Sequence, residues 1–182
     1  GTIDHLMKYN PSYISCTYGA GGGNVGANRE VCQMIKNAGT TPVTHFTVIK
    51  NTKEGIKEQL DQYLADGVDH MLALRGDIPL GETTTCGDFD YATDLVKFVR
   101  DTYGDKFEIA VAGSPEGHIS CRSLESDIAV LKQKQDNGAD YIMTQLCWDM
   151  EQFKYWLDAI RKAGITMPVD VGVMPILDQA AT

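Results

Sequence analysis

The feature that most constrains the fold is a pattern repeating about every 30 residues, the length of a βα unit. A short β-rich run ends in polar, Gly or Pro residues, and an amphipathic helical stretch follows. Strands are expected over 13–18, 43–49, 70–74, 108–112, 141–145 and 169–173, with helices over 28–37, 53–65, 91–103, 123–137 and 150–163. Thr52 and Ser123 offer side-chain oxygens as helix N-caps. Gly67, Gly138 and Gly164 fall where a helix C-terminus needs a left-handed residue. Six such units without a hairpin signal imply a parallel sheet with helical crossovers. Runs such as Tyr141-Ile-Met-Thr and Glu108-Ile-Ala-Val-Ala carry apolar residues on both faces, as a sheet covered on both sides requires.

Two architectures satisfy that pattern, an open doubly wound sheet and a (β/α)8 barrel. An open sheet gathers its functional residues at one switch point, whereas a barrel spreads them over many strand ends. Here polar residues stand at almost every strand end: Thr17, His45 and Thr47, Asp77, then Ser114, Glu116 and His118, then Gln145. The expected fold is therefore an α/β protein of the (β/α)8 TIM-barrel class with about six βα units present. Residues 1–182 are read as a single, incomplete barrel domain. A whole barrel takes about 250 residues. The chain opens in a helical stretch, Ile3-Asp-His-Leu-Met7, and closes a short loop after a strand, so a fragment is expected. Two open parallel edges would be an aggregation liability unless covered.

Composition narrows the partners. With 43% hydrophobic residues in 182, a real core is affordable. The net charge of −9 argues against nucleic acid and against an anionic membrane surface. Lys132 and Lys134 form the densest basic cluster and read as a helix face. No apolar run reaches the ~18 residues of a membrane span. No signal-peptide pattern opens the chain, and the expected compartment is the cytoplasm. Cys16, Cys32, Cys86, Cys121 and Cys147 are scattered and odd in number, which suits reduced thiols better than disulfides or a zinc site. No metal is expected.

One segment concentrates the chemistry. Leu74-Arg75-Gly76-Asp77-Ile78-Pro79 follows the third strand and places a guanidinium fork, a bare backbone and a carboxylate at one strand mouth. That suits a polar, ring-shaped ligand. Tyr18-Gly-Ala-Gly-Gly-Gly23 lacks the Lys-Ser or Lys-Thr of a phosphate loop. Its Gly21, Gly23 and Gly26 match a dinucleotide fingerprint without the acidic residue that should follow the next strand. A mobile βα loop over the barrel mouth is the better reading. His5 and His70 read as structural, while His45 and His118 lie toward strand C-termini and are candidates. Asp77 and Glu116 are the mouth carboxylates, unless each caps a helix or pairs with Arg75 or Arg122. Gln145, ending an apolar strand, is expected to point inward, where a ligand amide could satisfy it. Trp148, Tyr155 and Trp156 are expected to pack a helix on the barrel.

These residues resemble a known family. Ser15-Cys-Thr-Tyr-Gly-Ala20, His45-Phe-Thr47, Ala73-Leu-Arg-Gly-Asp-Ile-Pro79, Tyr91-Ala-Thr-Asp-Leu95, Val111-Ala-Gly-Ser-Pro-Glu-Gly-His118 and Gly138-Ala-Asp-Tyr-Ile-Met-Thr-Gln145 occur in the order found in the flavin-dependent methylenetetrahydrofolate reductases. The resemblance implies FAD across the barrel mouth, contacted by Thr17, His45, Leu74, Arg75, Gly76, Asp77, Tyr91, Ala92, Ala112, Ser114, His118, Asp127 and Lys134. It implies that Asp77 tunes the flavin and stabilises cationic folate species as the catalytic residue, and that Gln145 and Asp77 bind the folate. The implied reaction moves a hydride from NAD(P)H to FAD and on to 5,10-methylenetetrahydrofolate, giving 5-methyltetrahydrofolate. The cofactor carries that chemistry. A homo-oligomer is implied for the full-length protein.

Three departures stand out. The family's first-strand segment, whose Glu acts as general acid, is absent, as is the last barrel unit. Ser114 stands where relatives often place Tyr against the flavin. The glycine-rich loop is longer than in some members. The 182-residue chain alone is therefore expected to show little or no reductase activity. The rival expectations are a non-catalytic flavin- or folate-binding module, a subunit completed by a partner chain, or a phosphate-binding barrel of another family.

Overall fold

Strand order separates the two architectures that the sequence leaves open. The computed structural model describes residues 1–17, 25–117 and 123–174. Its elements run α1 (Thr2–Met7), β1 (Tyr13–Cys16), α2 (Val25–Asn37), β2 (Thr41–Thr47), α3 (Lys53–Ala65), β3 (His70–Leu74), α4 (Ala92–Tyr103), β4 (Glu108–Gly113), α5 (Leu124–Asp136), β5 (Tyr141–Thr144), α6 (Met150–Lys162) and β6 (Val169–Asp170). The strands follow one another in the sheet as β1-β2-β3-β4-β5-β6. Among the described strands no order reverses, so they hold no switch point of the doubly wound kind. Sequential strands joined by helices are the (β/α)8 plan, of which the described residues hold six strands and the five helices that join them.

The chain divides into two compact units, Gly1–Ala110 and Val111–Thr182. In the first, β1 and β2 pair in parallel from Tyr13↔Thr41 to Cys16↔Thr44, and β2 and β3 from Thr44↔Met71 to Thr47↔Leu74. Val43, Phe46, Met71 and Ala73 are fully buried in these strands. Helix α3 presents Ile56, Leu60 and Tyr63, spaced four and three residues apart as one helical face requires, with the Tyr63 ring 6.4 Å from that of Phe46. Helix α4 buries Leu95, Val96, Val99 and Tyr103 in the same way. The Tyr103 hydroxyl then donates to Asp61 Oδ1 at 2.7 Å, tying α4 to α3.

Helix starts follow their caps. Thr52 accepts a bond from Gly55 N at 3.0 Å, and α3 begins at the next residue. Ser123 accepts from Ser126 N at 3.2 Å and opens α5. Gly67, Gly138 and Gly164 take positive φ of 76°, 113° and 85° after their helices. His70 is structural, its ring lying between Asp69 Oδ1 at 2.7 Å and Glu108 Oε2 at 3.0 Å.

Two strand boundaries differ from expectation for local reasons. β2 begins at Thr41, because Thr41 and Pro42 pair opposite Tyr13 and Ile14 despite the missing proline N–H. It ends at Thr47, where Asn51 Nδ2 takes the Thr47 carbonyl at 2.9 Å and Asn51 N takes that of Val48 at 3.2 Å. β6 is only Val169–Asp170, since Gly172 N turns aside to Thr144 Oγ1 at 2.9 Å.

In the second unit, β5 and β6 pair in parallel through Ile142↔Val169 and Met143↔Asp170. Trp156 is fully buried on α6, its ring 5.8 Å from that of Phe153. The six-membered edge of the indole also lies against Gly113, where a Cβ would meet Trp156 Cζ2 at 3.1 Å and Ile142 Cγ2 at 2.6 Å. Of the three aromatics expected to pack here, only Trp156 does. Trp148 and Tyr155 are 55% and 62% exposed. Trp148 precedes the helix, and Tyr155, one residue (about 100°) before Trp156, faces away from the buried stripe.

Candidate functional site

The third strand mouth is built by a backbone turn. β3 ends at Leu74, and Gly76 adopts a φ of +85°, where side chains are strongly disfavoured. A Cβ there would lie 2.6 Å from Ile49 Cγ1 and 3.1 Å from Thr47 Cβ, so the turn is laid against the residues ending β2. Arg75 Nε donates to the Gly76 carbonyl at 3.3 Å, which leaves the outer guanidinium nitrogens with no ion pair among the described residues. Asp77 is exposed and pairs neither with Arg75 nor with any other described residue. Nor does it cap α4, since Asp94 Oδ2 accepts the Tyr91 N–H there at 3.0 Å. A cation and an anion therefore stand two residues apart, presented by one locked turn.

The loop beyond the turn is stapled to α3. Thr85 O accepts from Lys50 N at 2.8 Å, Asp88 Oδ2 accepts from Lys53 N at 2.8 Å, and Lys53 Nζ lies 5.5 Å from the Phe89 ring centre. Gly87 packs so closely that a Cβ would sit 2.6 Å from the Asn51 carbonyl oxygen. Between these fixed points Leu80 is fully exposed and Ile78 partly so, and Tyr91 is 62% exposed beside buried Ala92.

His45 is half-buried on β2, beside Leu72 on β3. Burial lowers its imidazole pKa below the ordinary 6.5, which favours the neutral ring. The sign of the linked pH effect follows. The unfolded imidazole gains a proton near pH 6.5 and the folded one only at lower pH, so stability is full above 6.5 and falls as pH drops toward the folded value. Comparing thermal midpoints of the wild type and His45→Asn across that range should show a flatter curve for the variant. Parallel curves would contradict the role of burial.

Thr17 directly follows β1, exposed at the strand end. Behind it lies the one element of this region that the sequence did not single out. Asn28, on the buried face of α2 with Cys32 and Ile35, accepts bonds at Oδ1 from Tyr63 Oη at 2.6 Å and Thr44 Oγ1 at 2.9 Å. Its Nδ2 donates to the Cys16 carbonyl at 3.1 Å and lies 3.2 Å from Cys16 Sγ. Cys32 is fully buried with its Sγ 3.5 Å from Asn28 Oδ1, and the neighbouring Cys16 together with burial pushes its pKa up and holds it as a thiol, while Cys16 is drawn down. Cys16, Cys32, Cys86 and Cys147 are all free thiols. The signal for Asn28 was present as a carboxamide on the same helical stripe as Cys32 and Ile35, where a polar group must find partners.

In the second unit, buried Ser114 directly follows β4 and opens a turn in which Gly117 N bonds the Ser114 carbonyl at 2.9 Å. Gln145 lies just past β5; its backbone N–H donates to Gly113 O at 2.8 Å and the residue is exposed at the strand end. β5 ends at Thr144, one residue before Gln145. Glu116 Oε1 accepts from Trp148 N at 3.3 Å. Ala112 on β4 and Asp127 and Lys134 on α5 are half-exposed, and the two α5 residues stand seven apart, about 10 Å along the axis. His118, Cys121, Arg122 and the 18–24 segment holding Gly21 and Gly23 lie outside the described residues. The described residues hold no cluster of metal-ligating side chains, and no helix among them is long and apolar enough to cross a membrane.

Sequential βα units with polar groups at the strand ends define a protein of the (β/α)8 class, a fold in which ligands are generally met at the C-terminal strand mouths. Solved structures bear out the fold. A phosphonopyruvate hydrolase, crystallised with oxalate and Mg++, superposes with a TM-score of 0.72 at 10% identity, over 93% of this chain and 62% of that one. A 2,3-dimethylmalate lyase of the PEP mutase/isocitrate lyase superfamily gives 0.65 at 14% identity, over 98% and 65%. At such identities the likeness concerns the fold alone. Sequence comparison goes further: the methylenetetrahydrofolate reductase family model matches residues 1–181. The chain belongs to the methylenetetrahydrofolate reductase family. Methylenetetrahydrofolate reductase 1 of Schizosaccharomyces pombe is 38% identical over 179 residues, and methylenetetrahydrofolate reductase (NADH) 1 of Arabidopsis thaliana 36% over 187. The 5,10-methylenetetrahydrofolate reductase of Pectobacterium carotovorum is 34% identical over 177. Each alignment covers 96% of this chain. The chain spans about a third of the two eukaryotic relatives (30% and 32%) and 57% of the bacterial one.

Proposed function

We propose that the protein carrying this chain reduces 5,10-methylenetetrahydrofolate to 5-methyltetrahydrofolate in the cytoplasm, with FAD as cofactor and NAD(P)H as hydride donor. The observation that carries this reading is the Leu74–Asp77 turn, which offers a guanidinium edge and a carboxylate, neither ion-paired among the described residues, from a backbone locked at Gly76. A planar, polar heterocycle needs that combination of donors, acceptor and bare backbone. The half-buried, neutral-favouring imidazole of His45 also suits an uncharged ring edge.

The chain's own residues then divide the work. Leu74, Arg75, Gly76 and Asp77 grip the heterocycle. Thr17, His45, Tyr91, Ala92, Ala112, Ser114, His118, Asp127 and Lys134 hold the remainder of the dinucleotide. Asp77 and Gln145 hold the folate, and the Asp77 carboxylate opposes the positive charge that develops on it. FAD, when bound, supplies the hydride acceptance and donation that no side chain here can perform.

A visible absorption spectrum of the complete protein, before and after adding FAD and removing the excess, tests the proposal. Retained flavin colour that NADH or NADPH bleaches and methylenetetrahydrofolate restores is the expected result. A colourless protein overturns it. Flavin that stays bound but is never bleached makes the chain part of a binding module.

A further inference from the structure

Asn28 lies outside every motif that carries the family resemblance, yet it joins β1, which Thr17 follows, to β2, which carries His45. It is 3% exposed, so a bare carboxamide there would be costly, and each of its polar atoms is bonded. The orientation of the amide is settled by chemistry. The Cys16 carbonyl can only accept, so the group facing it at 3.1 Å is the NH2. The oxygen then faces the hydroxyls of Tyr63 on α3 and Thr44 on β2 and the thiol of Cys32, at 2.6, 2.9 and 3.5 Å. One side chain thus connects β1, β2, α2 and α3.

The two halves of the carboxamide do different things. Cys16↔Thr44 is the last register pair of the β1–β2 ladder, and beyond it the chain leaves the sheet at Thr17. The carbonyl that Asn28 holds belongs to the Cys16–Thr17 peptide, so the NH2 sets the plane from which Thr17 departs. The oxygen holds Thr44, and side chains alternate faces along a strand, so His45 is committed to the face opposite Thr44.

We propose that Asn28 is a positioning residue for flavin binding, its NH2 orienting Thr17 through the Cys16 carbonyl while its oxygen fixes the facing of His45. This rests on the flavin reading above. Asn28 itself touches neither substrate nor cofactor in this role.

The test separates positioning from plain stability. In the complete protein, Asn28→Asp keeps the acceptor half and loses the donor to Cys16 O. Tyr63→Phe removes one donor to Oδ1 and keeps the Cys16 bond. Flavin affinity by fluorescence quenching and the thermal midpoint are measured for both, with Thr17 amide hydrogen exchange in the flavin-free form. Asn28→Asp should weaken FAD binding about tenfold, the worth of one well-placed hydrogen bond, and speed Thr17 exchange. Tyr63→Phe should leave both near wild type at a similar loss of midpoint. If Asn28→Asp does not fold, Asn28→Ser, too short to span the network, is read in the same way. Affinity that follows the midpoint equally in all variants, or does not change in Asn28→Asp, overturns the positioning role and leaves the flavin reading intact. A wild type that binds no FAD overturns both.

Discussion

Gly76→Ala is expected to lower the unfolding free energy by about 2–4 kcal/mol, combining backbone strain with overpacking. The backbone there sits at φ +85°, a conformation that a Cβ disfavours whatever the space around it. The space is also lacking, with Ile49 Cγ1 at 2.6 Å and Thr47 Cβ at 3.1 Å from the added atom. Neither neighbour can yield easily, since Ile49 and Thr47 are both buried at the end of β2. Relief by moving the turn would displace Arg75 and Asp77, so flavin affinity should fall together with stability. Urea unfolding and FAD titration of the variant check this. A change under about 1 kcal/mol with normal flavin binding would show that the turn is not locked as described.

Asp77→Asn should do the opposite, sparing the fold and disabling the chemistry. The residue is exposed and has no ion pair among the described residues, so its neutral isostere should shift stability by no more than about 0.5 kcal/mol. Its proposed work is electrostatic. A carboxylate opposing charge that grows on the folate during hydride transfer acts on the transition state more than on the ground state. Loss of one such preorganised group typically costs about 100- to 1000-fold in turnover, and that is the expected fall in folate reduction by the complete protein. Bleaching of the flavin by NAD(P)H should be affected far less. Folate turnover within a few-fold of wild type would remove Asp77 from the catalytic role.

Much of this was legible before any coordinates. The spans Lys53–Ala65 and His70–Leu74 agree to the residue, because Thr52, Gly67 and the apolar periodicity between them mark their ends locally. The Leu74–Asp77 mouth was legible for the same reason, since a glycine between a cation and an anion after a strand is a local pattern. Three features were not. The placement of Pro42 in β2 depends on pairing with Ile14, the exposure of Tyr155 on which helical face meets Ile142 and Gly113, and the exposure of Gln145 on the end of β5 at Thr144. Each turns on a neighbour distant in sequence.

By itself, the sequence determined the alternation of strands and helices, the polar character of the strand ends and the motifs of its family, all written in short-range periodicity and caps. Tertiary structure alone decided that the described strands follow one another in chain order, that Arg75 and Asp77 form no ion pair among the described residues, and that Asn28 ties Cys16, Thr44 and Tyr63 together. The physical reason is one of range. A cap or a helical stripe is satisfied within a few residues, whereas strand neighbours and a buried carboxamide find their partners only when segments 12 to 35 residues apart are packed against each other.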